Sequence, residues 1–371
     1  MVVKKIKLRD FRNVKTAEIS LKEGMNFFLG ENAQGKTNAL EAIYLFSRGK
    51  SFRGARDGEM VREGEEGFFA EITFLKEDRE ETLSYAFFGK EKERKRNGIL
   101  LNSLSEMIGS FNAVLFSPDH LQMVKGSPSE RRQFLNVAIL GCYPVYLSIY
   151  NEYARALEQR NALLKDMQRK GASDTSLLCV WNEKLSSLAA KIYLYRKEYV
   201  EKLNLIAGKI MAELSGGKEE MRLIYQSDIS SFESVEDEKG AREAYERVFS
   251  VMTDKEIAFG SSLYGVQRDE LLILINGKSA RDYGSQGQQR SAVLSLKMAE
   301  GEISKEIRGE SPVYLFDDVL SELDEGRRKF LLSGMKGRQF IVTGCERGIL
   351  GEKDESVHVI RVKNGEFFFE G

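Results

Sequence analysis

FLGENAQGKTNALEAIYLF, residues 28–46, decides how this chain is read. Gly30-Glu31-Asn32-Ala33-Gln34-Gly35-Lys36-Thr37 fits the pattern G-x-x-x-x-G-K-[ST], in which glycines let backbone N–H groups curl around phosphate oxygens. Lys36 supplies positive charge for the outer phosphates, and the Thr37 hydroxyl is placed to ligate Mg²⁺. The residues ahead, Met25 to Leu29, are apolar as a buried strand is. Those behind carry Leu40, Ile43 and Tyr44 at helical spacing. Such a helix turns its N-terminus, with its partial positive charge, toward the same anion. Strand, loop and helix in this order predict a nucleotide-phosphate site.

Such a site needs a carboxylate on a neighbouring strand to hold the metal through water. Pro312 to Phe316 is an apolar run that ends in Asp317-Asp318. Asp317 is expected to serve Mg²⁺ and Asp318 to polarise an attacking water. Together with Lys36 they form the candidate catalytic set. Upstream, Ser285-Gln-Gly-Gln-Gln289-Arg290 opens a helical stretch and resembles the S-G-G-Q signature of the ABC ATPase class. A serine hydroxyl and a glycine N–H at a helix start make an anion seat. The resemblance implies that Ser285, Gly287, Gln288 and Gln289 reach the γ-phosphate bound by a second copy, so that ATP joins a homodimer. It also implies a D-loop at Asp324, in Ser321-Glu-Leu-Asp324. Thr343 ends a strand where many relatives place a switch histidine, and no histidine is close to it. A slow timer of a dimer is expected, not a fast engine.

Composition narrows the classes. With 42% apolar and 30% charged residues and a net charge of −1, the chain reads as an ordinary globular protein. No window approaches the ~18 apolar residues of a membrane span, and the N-terminus lacks a secretory block. A cytoplasmic, membrane-free protein is expected. Three scattered cysteines and two distant histidines make disulfides and a zinc site poor readings.

The chain starts and ends in strand-rich α/β sequence with a helical insertion between. The expected division is a head of residues 1–118 and 295–371, and an arm or lobe of 119–294 carrying the signature near its C-terminal edge. Leu177, Val180, Trp181, Leu185, Leu188, Ile192 and Tyr195 form one helical stripe. Leu147, Tyr150, Tyr153, Leu157 and Leu164 form another before the break at Gly171 to Asp174. The two read as an antiparallel hairpin or as an ordinary helical subdomain. The fold class is thus α/β, a P-loop ATPase head of ABC/SMC type with an inserted helical arm.

LRDFRN (8–13), SRGKSFRGARDGEMVREG (47–64), FSPDHLQMVKGSPSERRQFLN (116–136), GVQRDEL (265–271) and SQGQQR (285–290) together resemble the RecF family of bacterial recombination-repair ATPases. The resemblance covers nearly the whole chain. Val266, Glu270 and Asn136 depart from its usual proline, aspartate and aspartate. It implies an SMC-like head that dimerises with ATP and binds double-stranded or gapped DNA. With RecR and RecO it would help place RecA at damaged or stalled replication sites. It also implies that Arg12 and Asn13 line the nucleotide site and that Asp119 to Gln122 lies near a Q-loop. The residues themselves offer Arg48, Lys50, Arg53 and Arg56 as candidate DNA-backbone cations. A second run, Lys90 to Arg96, is interrupted by Glu91 and Glu93 and reads rather as a solvated turn. The alternatives are a transporter's nucleotide-binding subunit and a DNA clamp with little turnover. About 250 residues between loop and signature, and the missing histidine, weigh against the transporter.

Overall fold

In the computed structural model the described residues are 1–171, 175–229, 235–334, 337–346 and 357–369. They divide into two compact units. One comprises Met1–Leu121, Ile210–Gly217 and Arg290–Gly371, the other Gln122–Lys209 and Lys218–Gln289. Residues 119–121, 210–217 and 290–294, which the sequence assigned to the arm, thus fall in the first unit.

The first unit holds two six-stranded sheets. One is antiparallel throughout, in the order Val14–Ser20, Val2–Phe11, Gly67–Lys76, Arg79–Phe88, Glu91–Arg96, Ile99–Leu100. Its strands alternate: Gly67–Lys76 buries Phe68, Ala70, Ile72 and Phe74 and leaves the intervening residues half-exposed. Glu77-Asp78 and Asn97-Gly98, all at positive φ, make the tight hairpin turns.

The other sheet runs Glu366–Phe369, His358–Lys363, Met25–Leu29, Phe340–Gly344, Val313–Phe316, Ala113–Phe116. It is parallel except for its last hairpin. Every residue of Val313–Phe316 and Phe340–Gly344 is buried, which explains why they are apolar but for Thr343 and the closing Gly344. The helix Lys36–Arg48 shares one core with both sheets, through Leu40, Ile43, Leu45 and Phe46 beside Ile6, Ile72, Leu315 and Ile341. Each such side chain contributes ~1.5–3 kcal/mol by leaving water, so the loop ahead of the helix rests on a rigid base. A second core on the opposite face joins Phe27, Val114, Phe316 and Val342 to Leu294 and Leu331.

The second unit is mainly helical: Pro128–Cys142, Tyr146–Lys170, most of Ser176–Leu214, Glu238–Val251 and Thr253–Phe259. A small antiparallel sheet is ordered Lys278–Ser279, Glu270–Ile275, Met221–Gln226. The two long helices pair as a hairpin, since Tyr146 stacks edge-on with Tyr195 and Arg160 donates to Asn182. Most of the turn expected at Gly171 to Asp174 lies outside the described residues. The predicted stripes need correction. Leu177 and Val180 are exposed, and Leu178 takes the buried position at that end. Arg160 is fully buried within the first stripe, held by Glu256 at 2.6 Å, Ser262 at 2.7 Å and Asn182 at 2.7 Å.

Candidate nucleotide-binding site

The parallel strands bring the loop and the two aspartates together. Leu29 pairs in register with Gly344, and Phe316 with Val342, so Gly30, Asp317 and Thr343 sit at the carboxyl ends of adjacent strands. Open α/β sheets hold ligands at this edge. The Gly30 N–H donates to the Gly344 carbonyl at 3.2 Å, and a Cβ at Gly30 would stand 2.3 Å from the Val362 carbonyl oxygen. Only glycine fits there. Gly35, at φ 115°, lies in a region closed to other residues, and its missing Cβ leaves room for the Asn13 carboxamide.

The loop is pinned from outside. The Gln34 carbonyl accepts from Gly365 N–H at 2.8 Å and from Asn13 Nδ2 at 3.1 Å, while its side chain accepts from Asn364 N–H at 2.7 Å. Glu31, Asn32 and Ala33 are exposed at the loop's crest. Lys36 is 3% exposed, and its Nζ donates to the Gly30 carbonyl at 2.6 Å and to Cys345 Sγ at 3.2 Å. The ammonium therefore closes the ring of its own loop.

Thr37 and the Asp-Asp strand meet directly. Thr37 Oγ1 donates to Asp317 Oδ1 at 2.7 Å, and Thr343 Oγ1 donates to the same oxygen at 3.1 Å. Thr343 also accepts the Asp318 N–H at 2.9 Å. The sensor position is thus wired to both aspartates. Asp318 is held at φ 52°, an uncommon backbone for a residue with a side chain, which turns its carboxylate into the cleft it lines. Burial raises the Asp317 pKa, and Asp318 adds to that, while the bonds from Thr37 and Thr343 oppose it.

A cleft of about 930 Å³ opens over the loop. Its walls include Lys36, Thr37 and Asp318 at one place and Arg12, Asn13, Arg53, Glu59, Val61 and Arg62 at others. That volume suits a nucleotide. Among the described residues no three acidic, histidine or cysteine side chains could hold a metal by themselves. Thr37 and Asp317, already in contact, are two oxygen ligands of the kind Mg²⁺ takes, with phosphates and water completing its shell. The donor set fits a metal that arrives with its nucleotide.

The signature residues form a cap. The Ser285 hydroxyl accepts the Gln288 N–H at 3.2 Å, and the Gln288 side chain accepts the Ser285 N–H at 2.9 Å. Ser285 is exposed at the start of the helix Gln286–Arg308, whereas Gln289 is buried and donates to the Ala280 carbonyl at 2.9 Å. Gly287 lies in the first turn. Asp324 caps the helix Glu325–Ser333 by accepting the Arg327 N–H at 2.9 Å, and is itself exposed. Asp119, on the 3-10 turn Pro118–Leu121, is not among the residues lining the cleft.

The basic candidates separate. Arg48 is 3% exposed and bonds to Ser47, Asn112 and Glu300, so it cannot reach a DNA backbone; that expectation is corrected. It closes the last turn of a helix that is buried on all sides, and cation clustering in sequence says nothing about facing. Arg53 lines the nucleotide cleft, donating to Asn38 Oδ1 at 3.2 Å. Lys50 and Arg56 remain exposed. In the strand Glu91–Arg96, Lys92 pairs with Asp57, Lys95 with Glu93 and Arg96 with Glu81, while Arg94 covers the Tyr85 ring. The run is a paired strand one in from the sheet edge and not the solvated turn expected from the sequence.

One residue escaped the sequence reading. Glu41, 0% exposed, accepts from Arg12 Nε at 2.9 Å and Nη2 at 2.6 Å and also from the Ser51 hydroxyl. It lies one helical turn beyond Thr37 and on the same face, and that spacing was the available signal.

The family model described as the RecF/RecN/SMC N-terminal domain matches residues 2–367. "DNA replication and repair protein RecF" of Bacillus subtilis (strain 168) is 37% identical over 367 residues, covering 98% of this chain and 99% of that one. Its counterpart from Exiguobacterium sp. is 39% identical over 368 residues, with 99% and 98% covered. Among solved structures, the recombination mediator protein RecF-ATPrS in the RecFOR pathway superposes with a TM-score of 0.92 at 34% identity, covering 100% of this chain and 98% of that one. An Smc head bound to the C-winged helix domain of ScpA shares the fold, with a TM-score of 0.58 at 16% identity over 99% and 96% of the two chains. With its loop and its Asp-Asp strand carried on an SMC-type α/β head, the chain belongs to the family of RecF, the DNA replication and repair protein.

Proposed function

We propose that the chain is an ATP-dependent, DNA-binding switch of recombinational repair, acting in the cytoplasm. It binds ATP in the cleft over residues 30–37, closes on a second copy, hydrolyses ATP slowly, and holds double-stranded or gapped DNA while RecR and RecO help load RecA. The observation that carries the reading is the meeting of Thr37, Asp317 and Thr343 on one carboxylate oxygen beside the loop. Relatives solved with ATP and ATPrS support the choice of nucleotide. Among the described residues no helix is long and apolar enough to cross a membrane.

In this mechanism Lys36 exchanges the Gly30 carbonyl and the Cys345 thiol for β- and γ-phosphate oxygens, while the loop's N–H groups and the helix N-terminus hold the remaining charge. Thr37 and Asp317 would hold Mg²⁺. The chemistry that ion supplies is neutralisation of charge on the β- and γ-oxygens. Asp318 orients the attacking water, and Thr343, bonded to both aspartates, fixes their relative position. Ser285, Gly287 and Gln288 of a second copy would complete the γ-phosphate shell, with Asp324 at the same interface. The Ser285 hydroxyl would then trade its N-cap bond, worth about 1 kcal/mol, for a phosphate oxygen. Lys50 and Arg56 are the remaining candidates for DNA-backbone contacts.

Sedimentation with and without ATP, repeated with gapped DNA, tests the reading. A monomer that becomes a dimer with ATP, and a DNA complex favoured by ATP and weakened by salt, is the expected result. A chain that binds ATP and stays monomeric at micromolar concentration would sink the shared-site geometry.

A further inference from the structure

Arg12 and Arg53 both line the cleft, and neither stands free. Both lead back to the carboxylate of Glu41, which lies outside the cleft wall in the interior of the Lys36–Arg48 helix. Arg12 meets it in a two-pronged fork, and the third guanidinium nitrogen, Nη1, donates to the Glu59 carbonyl at 2.7 Å. Arg53 Nη1 stands 3.9 Å from Oε2 of the same carboxylate, the oxygen that also accepts Arg12 Nε–H. The Ser51 hydroxyl, two residues before Arg53, also donates to it and in turn accepts the Arg53 N–H at 3.0 Å.

We propose that Glu41 is a positioning residue of the nucleotide site, which presents Arg12 to the phosphates in one fixed orientation. Of the five N–H groups of Arg12, three are taken by Glu41 and Glu59. The two left over, one on each terminal nitrogen, are those available in the cleft. A planar fork clamped on one edge is pre-organised on the other, so little rotamer entropy remains to be lost when an anion arrives. The carboxylate is rigid because it projects from the same helix that carries Lys36 and Thr37. Movement of the phosphate loop is thereby transmitted to Arg12 without a change of partner. Charge supports this reading: two guanidiniums lie within 4 Å of one buried carboxylate, so this cluster keeps one positive charge after the clamp is made.

The inference rests on the reading of the cleft as an ATP site, and the test separates the two. ATP affinity is measured for the full chain, for Glu41→Gln, for Arg12→Lys and for the double variant, with a thermal melt of each. Glutamine keeps the size but sets an NH₂ against the guanidinium; lysine keeps the charge but cannot form the fork. Each single variant should lose about tenfold in ATP affinity, a difference of about 1.4 kcal/mol, and the double variant should lose no more than either. If Glu41→Gln fails to fold, Glu41→Asp, which keeps the charge but draws the carboxylate back from the fork, takes its place with the same expected loss. Wild-type affinity in either single variant, or losses that multiply to about a hundredfold in the double, overturns the proposal. A role confined to structure would lower the melting midpoint and leave affinity uncoupled, which also overturns it. A wild-type chain that binds no ATP refutes the underlying reading instead.

Discussion

Arg160 and Glu256 are both 0% exposed, and their ion pair is the strongest wager in the helical unit. Consider Glu256→Gln. The Glu256 Oε1 atom accepts the Leu263 and Tyr264 N–H groups at 2.7 and 3.3 Å, and the glutamine carbonyl can keep both. What is lost is the charge: the new NH₂ faces Arg160 Nη2, and a guanidinium is left buried with only Asn182, Ser262 and the Phe249 ring around it. Removing one partner of a buried pair costs about 3–5 kcal/mol, far more than the pair itself contributes over an apolar replacement. The assay is built in, because Trp181 is the only tryptophan in the sequence and adjoins Asn182 on the same helix. Urea unfolding followed by its fluorescence should show the transition moved down by about 2 M, taking a slope of about 2 kcal/mol per M. Arg160→Met combined with Glu256→Met should recover at least half of that loss. A shift below about 0.5 M in Glu256→Gln would mean that the charge is solvated or balanced elsewhere, and the reasoning fails.

Other expectations concern the site. Lys36→Met should abolish ATP-dependent dimerisation, measured by sedimentation, because the γ-phosphate loses its charge partner. Undiminished dimers would refute the assignment. Ser285→Arg should bind ATP with an affinity within about threefold of wild type yet remain monomeric, since that side chain serves the other copy. The pKa of Asp317 is raised by burial, so in the folded chain this carboxyl takes a proton more readily than in the unfolded chain. Its contribution therefore falls as pH rises from the ordinary aspartate range through its raised pKa, and it opposes folding at neutral pH. Asp317→Asn should accordingly melt higher than wild type at pH 7 without nucleotide, with the gain fading as pH is lowered, while Mg²⁺-dependent ATP binding is lost. A lower melting point at pH 7 would contradict that sign.

Much of the site was legible because its parts are local in sequence. Residues 30–37 are one turn, Asp317-Asp318 ends one strand, and Thr343 ends the next, so each announces itself by composition and the parallel register brings them together. Arg12 was legible from its motif, but its pairing with Glu41 was not, because the two stand 29 residues apart and only the spacing of Glu41 from Thr37 hinted at its facing. Arg48 misled because it clusters in sequence with Lys50, Arg53 and Arg56, and only its buried partners Asn112 and Glu300, far off in the chain, show that it faces inward. The helical arm was legible as amphipathic helices, with Tyr153, Leu164, Leu185, Leu188 and Ile192 buried as expected, and the phase slips only at the start of the second helix. Position 178 and not 177 is buried, and Arg160 interrupts the apolar stripe with a charge that only its tertiary partners make tolerable. Periodicity counts hydrophobicity and is blind to a salt bridge that substitutes for it.

The order of strands in the parallel sheet bears on how the protein is made. Met25–Leu29, the strand that carries the phosphate loop, has as its two neighbours Phe340–Gly344 and His358–Lys363, both synthesised some 300 residues later. A nascent chain can therefore build its antiparallel sheet and its helical unit while Phe27 and Phe28 still lack a ladder on either side. Such long-range pairing is slow and leaves sticky edges exposed meanwhile. Competence to hold a nucleotide should then switch on only once residues 358–363 have been made, and a ribosome stalled before residue 358 would present a chain with its arm complete and its engine missing.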